Sequence, residues 1–337
     1  MISLDIGTKY IKMCQLAKNN DTYEIISSAM APNPVTENPE KKENQIILAN
    51  RIKSIAKKAF FHQKKTISSI GGGYQSIVSY FRFPLLAPEE IAGAVSLEAE
   101  QSISTTLDSL YTDFQVLPQV ENDKIDVLFV AIPTQAFDAN MRTIARARLD
   151  LQIVDIDNLA LTNCFLAFGG DLVNESVVLL DIGHTSTKIS VIDGGKLRFI
   201  RNVNFGGINI SNEIASSFGT SFEIAEEIKK QPDKWDELGL NIKTVLRKSM
   251  PDLLEAIYRS IEYCVNRNAM LSTDKILLTG GTSYLKDIGT FVQEVLDIPT
   301  ITWNPIADLE QTGKAKHGLG QFLSVALGLA LRNGKNV

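Results

Sequence analysis

Two strand-like stretches far apart in this chain share the tripeptide Asp-Ile-Gly. They are "SLDIGTKYIKMCQL" (3–16) and "LLDIGHTSTKISVI" (179–192). In both, a lysine follows the aspartate by seven positions, and the two aspartates are 181 − 5 = 176 residues apart. Each stretch has the pattern of a strand, a glycine turn and a second strand. The repeat therefore predicts two matching hairpins, one in each half of the chain.

The glycine of each hairpin suits close contact with an anion. Glycine lets the backbone approach a ligand closely, and successive N–H groups and Ser/Thr hydroxyls can then hold phosphate oxygens. The aspartates, Asp5 and Asp181, would repel phosphate, so we expect them to hold a hydrated Mg2+ through water. The lysines, Lys12 and Lys188, can offset phosphate charge. A lone Asp-x-Gly is also a common hairpin turn, and it is the duplication that favours a site.

A third stretch, "ILLTGGTSYL" (276–285), places Gly280 and Gly281 between a buried strand and the start of a helix. Tight glycines let the backbone pass close to a planar or phosphorylated ligand, and a helix N-terminus favours anions. Taken alone, this stretch is also typical of an ordinary strand-to-helix loop. The three stretches in this order form a more specific pattern, which indicates a nucleotide site between two halves of an α/β chain.

The composition is that of a globular chain without a broad nucleic-acid surface. The 337 residues carry a net charge of −5, which is unfavourable for binding nucleic acid. The cysteines, Cys14, Cys164 and Cys264, are far apart, as expected of a reduced cytosolic chain. No signal peptide is visible, and the apolar run "FLSVALGLAL" (322–331) is shorter than the ~20 residues that span a bilayer. We therefore expect no direct membrane insertion.

The segments between the motifs predict how the chain is divided. Residues 84–155 read as two helices with about three strands, ending in the strand "QIVDID", and could form a small inserted subdomain. The composition becomes helical from 207 to 270, after the second hairpin. A last helix is expected near 318–332.

These residues resemble the actin-like ATPase superfamily, whose members share two phosphate hairpins and a late Gly-Gly that contacts adenosine. Within it, nearly the whole chain resembles the PilM family of type IV pilus assembly proteins. FtsA, a division protein, is a relative with the same general order. The stretches that carry the resemblance are "LDIGTKYIK", "FRFPLLAPEEIAGAVSLEAEQSI", "TDFQVL", "DIGHTSTKISVI" and "AEEIK".

The resemblance implies a two-lobed α/β fold. This is the actin-like, duplicated ribonuclease H-like ATPase fold with a small inserted subdomain of the FtsA type. The implied bounds are lobe 1 at 1–83, the inserted subdomain at 84–155, lobe 2 at 156–320, and a terminal helix at 321–337 that returns to lobe 1.

The resemblance also implies the residues that bind ATP and Mg2+. The first phosphate motif corresponds to Asp5, Gly7, Thr8 and Lys12, and the second to Asp181, Gly183, Thr185 and Ser186. The adenosine residues correspond to Gly280, Gly281, Thr282, Glu226 and Lys229. For Glu226 and Lys229, the plain alternative is an ion pair on a solvated helix face.

Asp157 in "DNLA" corresponds to the acid that orients the attacking water in relatives, where glutamate is often found. Aspartate is one methylene shorter, so the resemblance implies slow hydrolysis or none. The alternative for Asp157 is a surface helix cap. His184 lies in the second motif where relatives often have a small residue, and we interpret it as a loop residue rather than a catalytic group.

The family further implies a partner, the cytoplasmic N-terminal tail of a PilN-like inner-membrane protein. The expected groove for this tail borders 80–84 and the helix from Pro88, beside the inserted subdomain. The chain would then be cytoplasmic, peripheral to the inner membrane through its partner, and in contact with other components of the pilus platform. Whether it self-associates stays open.

Two other classes of function share the hairpin design. A small-molecule kinase needs a catalytic base beside an acceptor hydroxyl, and no such constellation is recognisable. An FtsA-like filament protein usually ends in a linker and an amphipathic membrane helix, which the ending "LRNGKNV" does not resemble. A scaffold that has lost nucleotide binding is disfavoured, because both aspartates and both lysines are kept. An ATP-binding adaptor is therefore the preferred hypothesis.

Overall fold

A computed structural model of the chain describes residues 1–19, 22–35, 37–59, 61, 63–71, 76–118, 123–267, 269–307, 309–314 and 319–332. Part of the expected terminal segment 321–337 lies outside these residues, and so does most of "LRNGKNV".

The described part of the chain contains fourteen strands and ten α-helices. The strands are β1 (Ile2–Ile6), β2 (Tyr10–Asn19), β3 (Thr22–Pro32), β4 (Lys65–Ile70), β5 (Ile77–Pro84), β6 (Leu110–Val116), β7 (Lys124–Pro133), β8 (Asp150–Ile156), β9 (Ser176–Ile182), β10 (Thr187–Asp193), β11 (Lys196–Val203), β12 (Lys275–Thr279), β13 (Thr300–Thr302) and β14 (Glu310–Lys314). The helices are α1 (Lys42–Lys58), α2 (Pro88–Ser102), α3 (Thr134–Arg146), α4 (Asp157–Phe168), α5 (Gly207–Phe218), α6 (Phe222–Lys229), α7 (Ile242–Ser249), α8 (Pro251–Asn266), α9 (Ile288–Leu296) and α10 (Ser324–Leu331).

The first and second sheets repeat one five-strand arrangement. The first sheet has the order β14-β3-β2-β1-β4-β8, and the second has the order β11-β10-β9-β12-β13. In each sheet an antiparallel meander, β1 to β3 or β9 to β11, continues through its first strand into two parallel strands. Five strands therefore match five, and β14 extends the first sheet alone. The expected duplicated α/β fold is confirmed.

The central strand of the second sheet shows why this sequence forms a buried strand. The run "SVVLLDI" is apolar at successive positions, as is typical of a strand covered on both faces. Val177 and Leu179 pack into a layer between the two sheets, whereas Val178 and Leu180 pack under the helices of the opposite face. Asp181, near the C-terminal end of this strand, lies on the same face as Val177 and Leu179, between the sheets but beyond their apolar layer.

Three helical layers enclose the two sheets. Helices α1 and α3 cover the outer face of the first sheet, and α5 to α9 with their connections cover the outer face of the second. Helices α4 and α10 pack together between the sheets. A Cβ added to Gly328 of α10 would lie 1.6 Å from the carbonyl oxygen of Ala160 in α4, so the two backbones touch where they cross. We call the first sheet with α1 and α3 lobe 1, and the second sheet with α5 to α9 lobe 2.

The third sheet, with the order β5-β7-β6, packs on α2 and forms the insert. Its bounds differ from the expected 84–155. Strand β5 already begins the third sheet at Ile77, and the "QIVDID" strand, expected in the insert, is β8, which pairs with β4 in the first sheet. Helix α3 likewise packs on α1 in lobe 1. The duplicated strand order explains why β8 belongs to lobe 1. It is the last parallel strand of the first sheet, as β13 is of the second.

The helices are short, and none in the described ranges is long and apolar enough to cross a bilayer. The longest, α1, has 17 residues and carries lysines along its length. The terminal helix α10 has eight residues and begins at Ser324, after a 3-10 turn, rather than near 318. Helix α5 ends at Phe218, and the left-handed φ of 59° at the next residue, Gly219, closes the helix.

Candidate nucleotide site

The two hairpins have the same geometry. Asp5 lies directly opposite Lys12 on neighbouring antiparallel strands, and Asp181 lies opposite Lys188 in the same way. The seven-residue spacing in the sequence is thus the register of a cross-strand pair. The turns also match, since the Gly7 N–H donates to the Tyr10 carbonyl at 3.0 Å and the equivalent bond in the second hairpin is also 3.0 Å.

Beneath the turns, three carboxylates and two lysines form a buried cluster. Lys12 Nζ lies 2.5 Å from Asp5 Oδ2, and Lys188 Nζ lies 3.1 Å from Asp181 Oδ2 and 3.3 Å from Asp157 Oδ2. Burial raises the pKa of Asp5, which Lys12 only partly offsets. Burial would lower the pKa of Lys188, but Asp181, Asp157 and Asp5 outweigh it and raise that pKa. The cluster therefore keeps Lys188 charged.

A cavity of about 340 Å3 opens between the hairpins. In a chain of net charge −5, two acidic residues and six lysines line this cavity among the described residues. The acids are Asp181 and Glu226, and the lysines are Lys9, Lys12, Lys188, Lys229, Lys230 and Lys286. Asp5 and Asp157, which pair with Lys12 and Lys188 behind the lining, reduce the excess of positive charge but do not remove it. The remaining excess favours a polyanion over a neutral or cationic ligand.

The two lobes meet across the cavity through side chains of the turns. Thr8 Oγ1 lies 3.1 Å from Thr185 Oγ1, so the two phosphate motifs are hydrogen-bonded to each other. Lys9, beside Thr8, pairs with Glu226 of α6 on the opposite lobe. Lys9 was not among the predicted residues, although its place in the first turn was a signal for it.

Glu226 is buried rather than solvated, so the surface ion-pair alternative is wrong. Its carboxylate accepts hydrogen bonds from Lys9, Ser211 and Lys229, the last at 2.5 Å. Burial alone would raise the pKa of Glu226, but these bonds lower it to about 2. Lys229 also donates to the Gly207 carbonyl at 2.7 Å, which fixes α6 against the start of α5.

The Gly-Gly turn approaches the second hairpin closely. Gly280 has a φ of 84°, and a Cβ there would lie 2.1 Å from Asp181 Oδ1, so this position requires glycine. Thr282 Oγ1 donates to the Gly183 carbonyl at 2.8 Å. A Cβ at Gly281 would lie 2.6 Å from the ring of Phe322. The Gly-Gly turn therefore contacts the second hairpin on one side and the Phe322 ring on the other.

Three aromatic rings border this end of the cavity. Phe322, just before α10, stacks on Tyr284 at a centroid distance of 5.2 Å, and Tyr10 meets Phe322 edge-on at 5.9 Å. Tyr10 and Tyr284 lie within the stretches that carry the predicted motifs, so the sequence contained a signal for both. Phe322 carries no such signal, because the chain brings it from a distant segment.

Ten of the fourteen predicted site residues line the cavity, and the other four contact a residue that does. The lining residues are Gly7, Thr8, Lys12, Asp181, Gly183, Ser186, Glu226, Lys229, Gly281 and Thr282. The other four are Asp5 against Lys12, Thr185 against Thr8, Gly280 against Asp181 and Asp157 against Lys188. The structure thus brings all the predicted residues together.

Asp157 begins α4 and is only 4% exposed, so the surface-cap alternative is wrong. A Cβ at Gly71 would lie 1.8 Å from its Oδ2, and its Oδ1 has no hydrogen-bond partner within the described residues. His184 lines the cavity, where burial first and then Lys9 lower its pKa to about 4. Its imidazole is therefore neutral at pH 7.

The donor set fits a polyphosphate with its counter-ion better than a metal held by protein alone. In the described ranges no three His, Cys, Asp or Glu residues are placed to hold a metal ion. Mg2+ commonly keeps several waters and uses one or two carboxylates with substrate phosphates, a pattern that a single lining aspartate can meet. Asp181 is the aspartate that lines the cavity, whereas Asp5 lies behind Lys12.

Matching sheets, paired hairpins across a cleft and an insert after the fourth strand define an actin-like fold, the fold of an ATPase superfamily. Comparison with known proteins agrees. The family model described as type IV pilus assembly protein PilM matches residues 3–334. The chain belongs to this PilM family, so the predicted resemblance is confirmed.

Individual relatives are more distant. The cell division protein FtsA of Bacillus subtilis (strain 168) is 26% identical over 343 residues, which cover 88% of this chain and 76% of FtsA. The solved PilM-PilN type IV pilus biogenesis complex has a TM-score of 0.84 at 23% identity, covering 99% of this chain and 98% of that one. MreB 5 of Spiroplasma citri bound to AMPPNP has a TM-score of 0.54 at 12% identity, covering 98% and 95%. These structures support the actin-like fold.

Proposed function

We propose that this chain binds Mg-ATP between its hairpins and acts as a cytoplasmic adaptor of a type IV pilus platform. The observation that carries the nucleotide proposal is the cavity lining, in which six lysines face two acids among the described residues although the chain is acidic overall. Backbone turns at Gly7 and Gly183 border the same space. A nucleoside triphosphate matches both the charge and the glycine-lined walls.

In this proposal the phosphates lie between the turns, with Thr8, Thr185 and Ser186 as hydroxyl donors. Asp181 would hold Mg2+ through water, and the ion would offset phosphate charge. Asp5 would contribute from a second position, behind Lys12. The adenosine would lie towards Gly281 and Thr282, beside Glu226 and Lys229. The aromatic rings at that end of the cavity give a flat base an apolar surface.

Slow or absent hydrolysis follows from where Asp157 lies. A carboxylate that orients an attacking water must reach it within about 2.6–3.2 Å. The Asp157 carboxylate is buried against Gly71 and paired with Lys188, behind the residues that line the cavity. We therefore propose that the chain binds ATP and hydrolyses it slowly or not at all.

We further propose that the partner is the cytoplasmic N-terminal tail of a PilN-like inner-membrane protein, which would keep the chain peripheral to that membrane. The solved neighbour named as a PilM-PilN complex supports this choice. The expected border at 80–84 is partly filled, because Tyr80 packs on Phe199 and Phe81 packs inside the insert. The tail is therefore proposed to dock on the side of α2, which exposes Leu97.

One experiment tests the nucleotide proposal directly. Purified protein is titrated with Mg-ATP by calorimetry, and phosphate release is followed on the same sample. Binding with little or no release supports the adaptor. Rapid turnover would favour a kinase or a motor, and absence of binding would overturn the nucleotide proposal.

A second titration tests the partner. A labelled peptide with the sequence of the PilN-like tail from the same organism is added to wild type and to Leu97→Ser, with Leu271→Ser as the matched control. Leu271 is 95% exposed and lies outside the insert. Weaker binding in Leu97→Ser alone supports docking on α2, whereas equal affinities for the three proteins would contradict it.

The match to FtsA favours one alternative, an ATP-dependent filament that recruits other proteins to a membrane. Sedimentation with and without Mg-ATP separates the two. A filament protein would pellet when nucleotide is added, and the adaptor would stay in the supernatant.

A further inference from the structure

The turn of the first hairpin carries a lysine that the second hairpin does not repeat. Counting from the two aspartates, the counterpart of Lys9 is Thr185. The Lys9 ammonium reaches across the cavity and pairs with Glu226 of α6, on the opposite lobe. Both residues line the cavity. A ligand that enters between the hairpins therefore meets an ion pair that already joins the two lobes.

Lys9 is the least fixed of the four lysines beside the hairpins. Its side chain is 30% exposed, against 16% for Lys12 and 12% each for Lys188 and Lys229. Lys12 and Lys188 pair with buried aspartates beneath the turns, and Lys229 donates to three groups of its own lobe. Within the described ranges, the Lys9 ammonium has Glu226 as its one partner. It is therefore the ammonium that a ligand can most readily recruit.

The backbone that carries Lys9 is held on both sides. The Lys9 carbonyl accepts the Asn33 N–H at 2.9 Å, and the Asn33 side-chain amide donates to the Gly7 carbonyl at 2.9 Å. Lysine has a flexible four-carbon stem and three rotatable donors. Rotation of the side chain alone can therefore move the ammonium from one acceptor to another, while the hairpin keeps its shape.

The two oxygens of Glu226 have different partners. Oε1 accepts hydrogen bonds from Ser211 and Lys229, which belong to the same lobe. Among the described residues, Oε2 accepts from Lys9 alone. Glu226 is only 6% exposed, and a buried carboxylate oxygen without a donor is costly. Lys9 thus occupies the one oxygen of Glu226 to which a ligand hydroxyl could donate.

We propose that Lys9 exchanges Glu226 for the polyphosphate when a nucleotide binds, and that Glu226 Oε2 then accepts a ribose hydroxyl. This inference rests on the proposed function, because it requires a nucleotide between the hairpins. A nucleotide supplies a new partner to each half of the broken ion pair. A nucleoside supplies a partner to Glu226 only and leaves the Lys9 ammonium without an acceptor. Lys9 therefore makes the cleft select polyphosphorylated nucleosides over nucleosides.

The test compares wild type with Lys9→Met, which removes the ammonium but keeps an unbranched side chain. Calorimetry measures the binding of ATP, adenosine and inorganic tripolyphosphate at one fixed concentration of Mg2+. We expect ATP and tripolyphosphate to bind Lys9→Met about tenfold more weakly, since a charge-assisted hydrogen bond is lost. Adenosine should bind it about threefold more tightly, because its competitor for Glu226 is gone. Loss of positive charge alone would weaken the two anions and leave adenosine unchanged.

Lys243→Met is the matched control. Lys243 pairs with Glu294 at 2.5 Å on the surface of lobe 2, outside the lining that the described residues form. It should leave all three affinities within about twofold of wild type. Lys9→Arg keeps the charge and should restore all three to within about threefold. Thermal melts of the variants verify that they fold.

The outcomes separate this inference from the proposal beneath it. Absence of ATP binding to wild type would overturn the proposed function and the exchange together. If wild type binds ATP but adenosine binds Lys9→Met no more tightly than wild type, the exchange alone is overturned. An ATP affinity that Lys9→Met leaves unchanged would also overturn it, because Lys9 would then not contact the phosphates.

Discussion

At the scale of single residues, each Asp-Ile-Gly hairpin carries its own counter-ion. Lys12 and Lys188 lie opposite their aspartates, so the carboxylates are neutralised before any ligand arrives. A phosphate entering the cavity therefore meets lysines whose charge is shared with the aspartates, rather than bare carboxylates. The sequence spacing predicted that each lysine accompanies an aspartate, but not that the two would pair.

Asp181→Asn tests which aspartate holds the proposed Mg2+. Because Asp181 lines the cavity and Asp5 lies behind Lys12, we expect Asp181→Asn to reduce the gain in ATP affinity that Mg2+ provides, by about tenfold. Calorimetry with Mg2+ and with EDTA measures this gain. Asp5→Asn is the control and should lose less. A larger loss in Asp5→Asn would reverse the assignment.

Glu226 should make stability depend on pH in the acid range. Its pKa in the folded chain, about 2, lies below the ordinary value of 4.5, so its contribution is complete above about pH 4.5 and is lost as the pH falls towards 2. Glu226→Gln should therefore lower the free energy of unfolding by about 1–3 kcal/mol at pH 7, with a smaller difference at pH 3. Urea titrations at several pH values measure it. A difference that does not change with pH would show that Glu226 is not charged as described.

At the scale of elements, the packing of α10 on α4 depends on one glycine. A Cβ at position 328 would lie 1.6 Å from the Ala160 carbonyl, so Gly328→Ala must push the two helices apart. We expect a loss of about 1–3 kcal/mol in the free energy of unfolding. Urea unfolding measures the loss.

Gly93→Ala in α2 is the matched control for that substitution. No atom lies within 4 Å of a Cβ built at Gly93, and the residue is exposed within a helix. Alanine should there stabilise by about 0.5–1 kcal/mol, because it forms helix more readily than glycine. Equal effects of the two substitutions would contradict the close crossing of α4 and α10.

Local elements were more predictable than their partners. The hairpins, the strand before Gly280 and the end of α5 at Gly219 follow from short patterns of apolar residues and glycine. The assignment of β8 to the insert was wrong, because its pairing with β4 is decided across more than eighty residues rather than by its own sequence. Phe322 beside Gly281 was missed for the same reason, since tertiary packing alone brings them together.

At the scale of the whole molecule, the cavity is shared by both lobes. Thr8 bonds Thr185 and Lys9 bonds Glu226, so a ligand between the hairpins contacts both sheets. A ligand that binds only the folded state stabilises it by about 2.7 kcal/mol at roughly 100 times its Kd. Mg-ATP at that concentration should therefore leave a single unfolding transition and raise its free energy of unfolding by about this amount. Two transitions, with one shifted, would show that ATP contacts one lobe alone.

Helix α10 completes the layer between the two sheets, yet a ribosome makes it after every described strand of both. Until residues 324–331 emerge, the apolar side of α4 with Leu161 and Phe165, and the sheet faces beside it, have no cover. A growing chain in that state exposes the kind of surface that favours aggregation and chaperone binding. The duplicated lobes can form early, but the contact that unites them forms only after every described strand of both has been made.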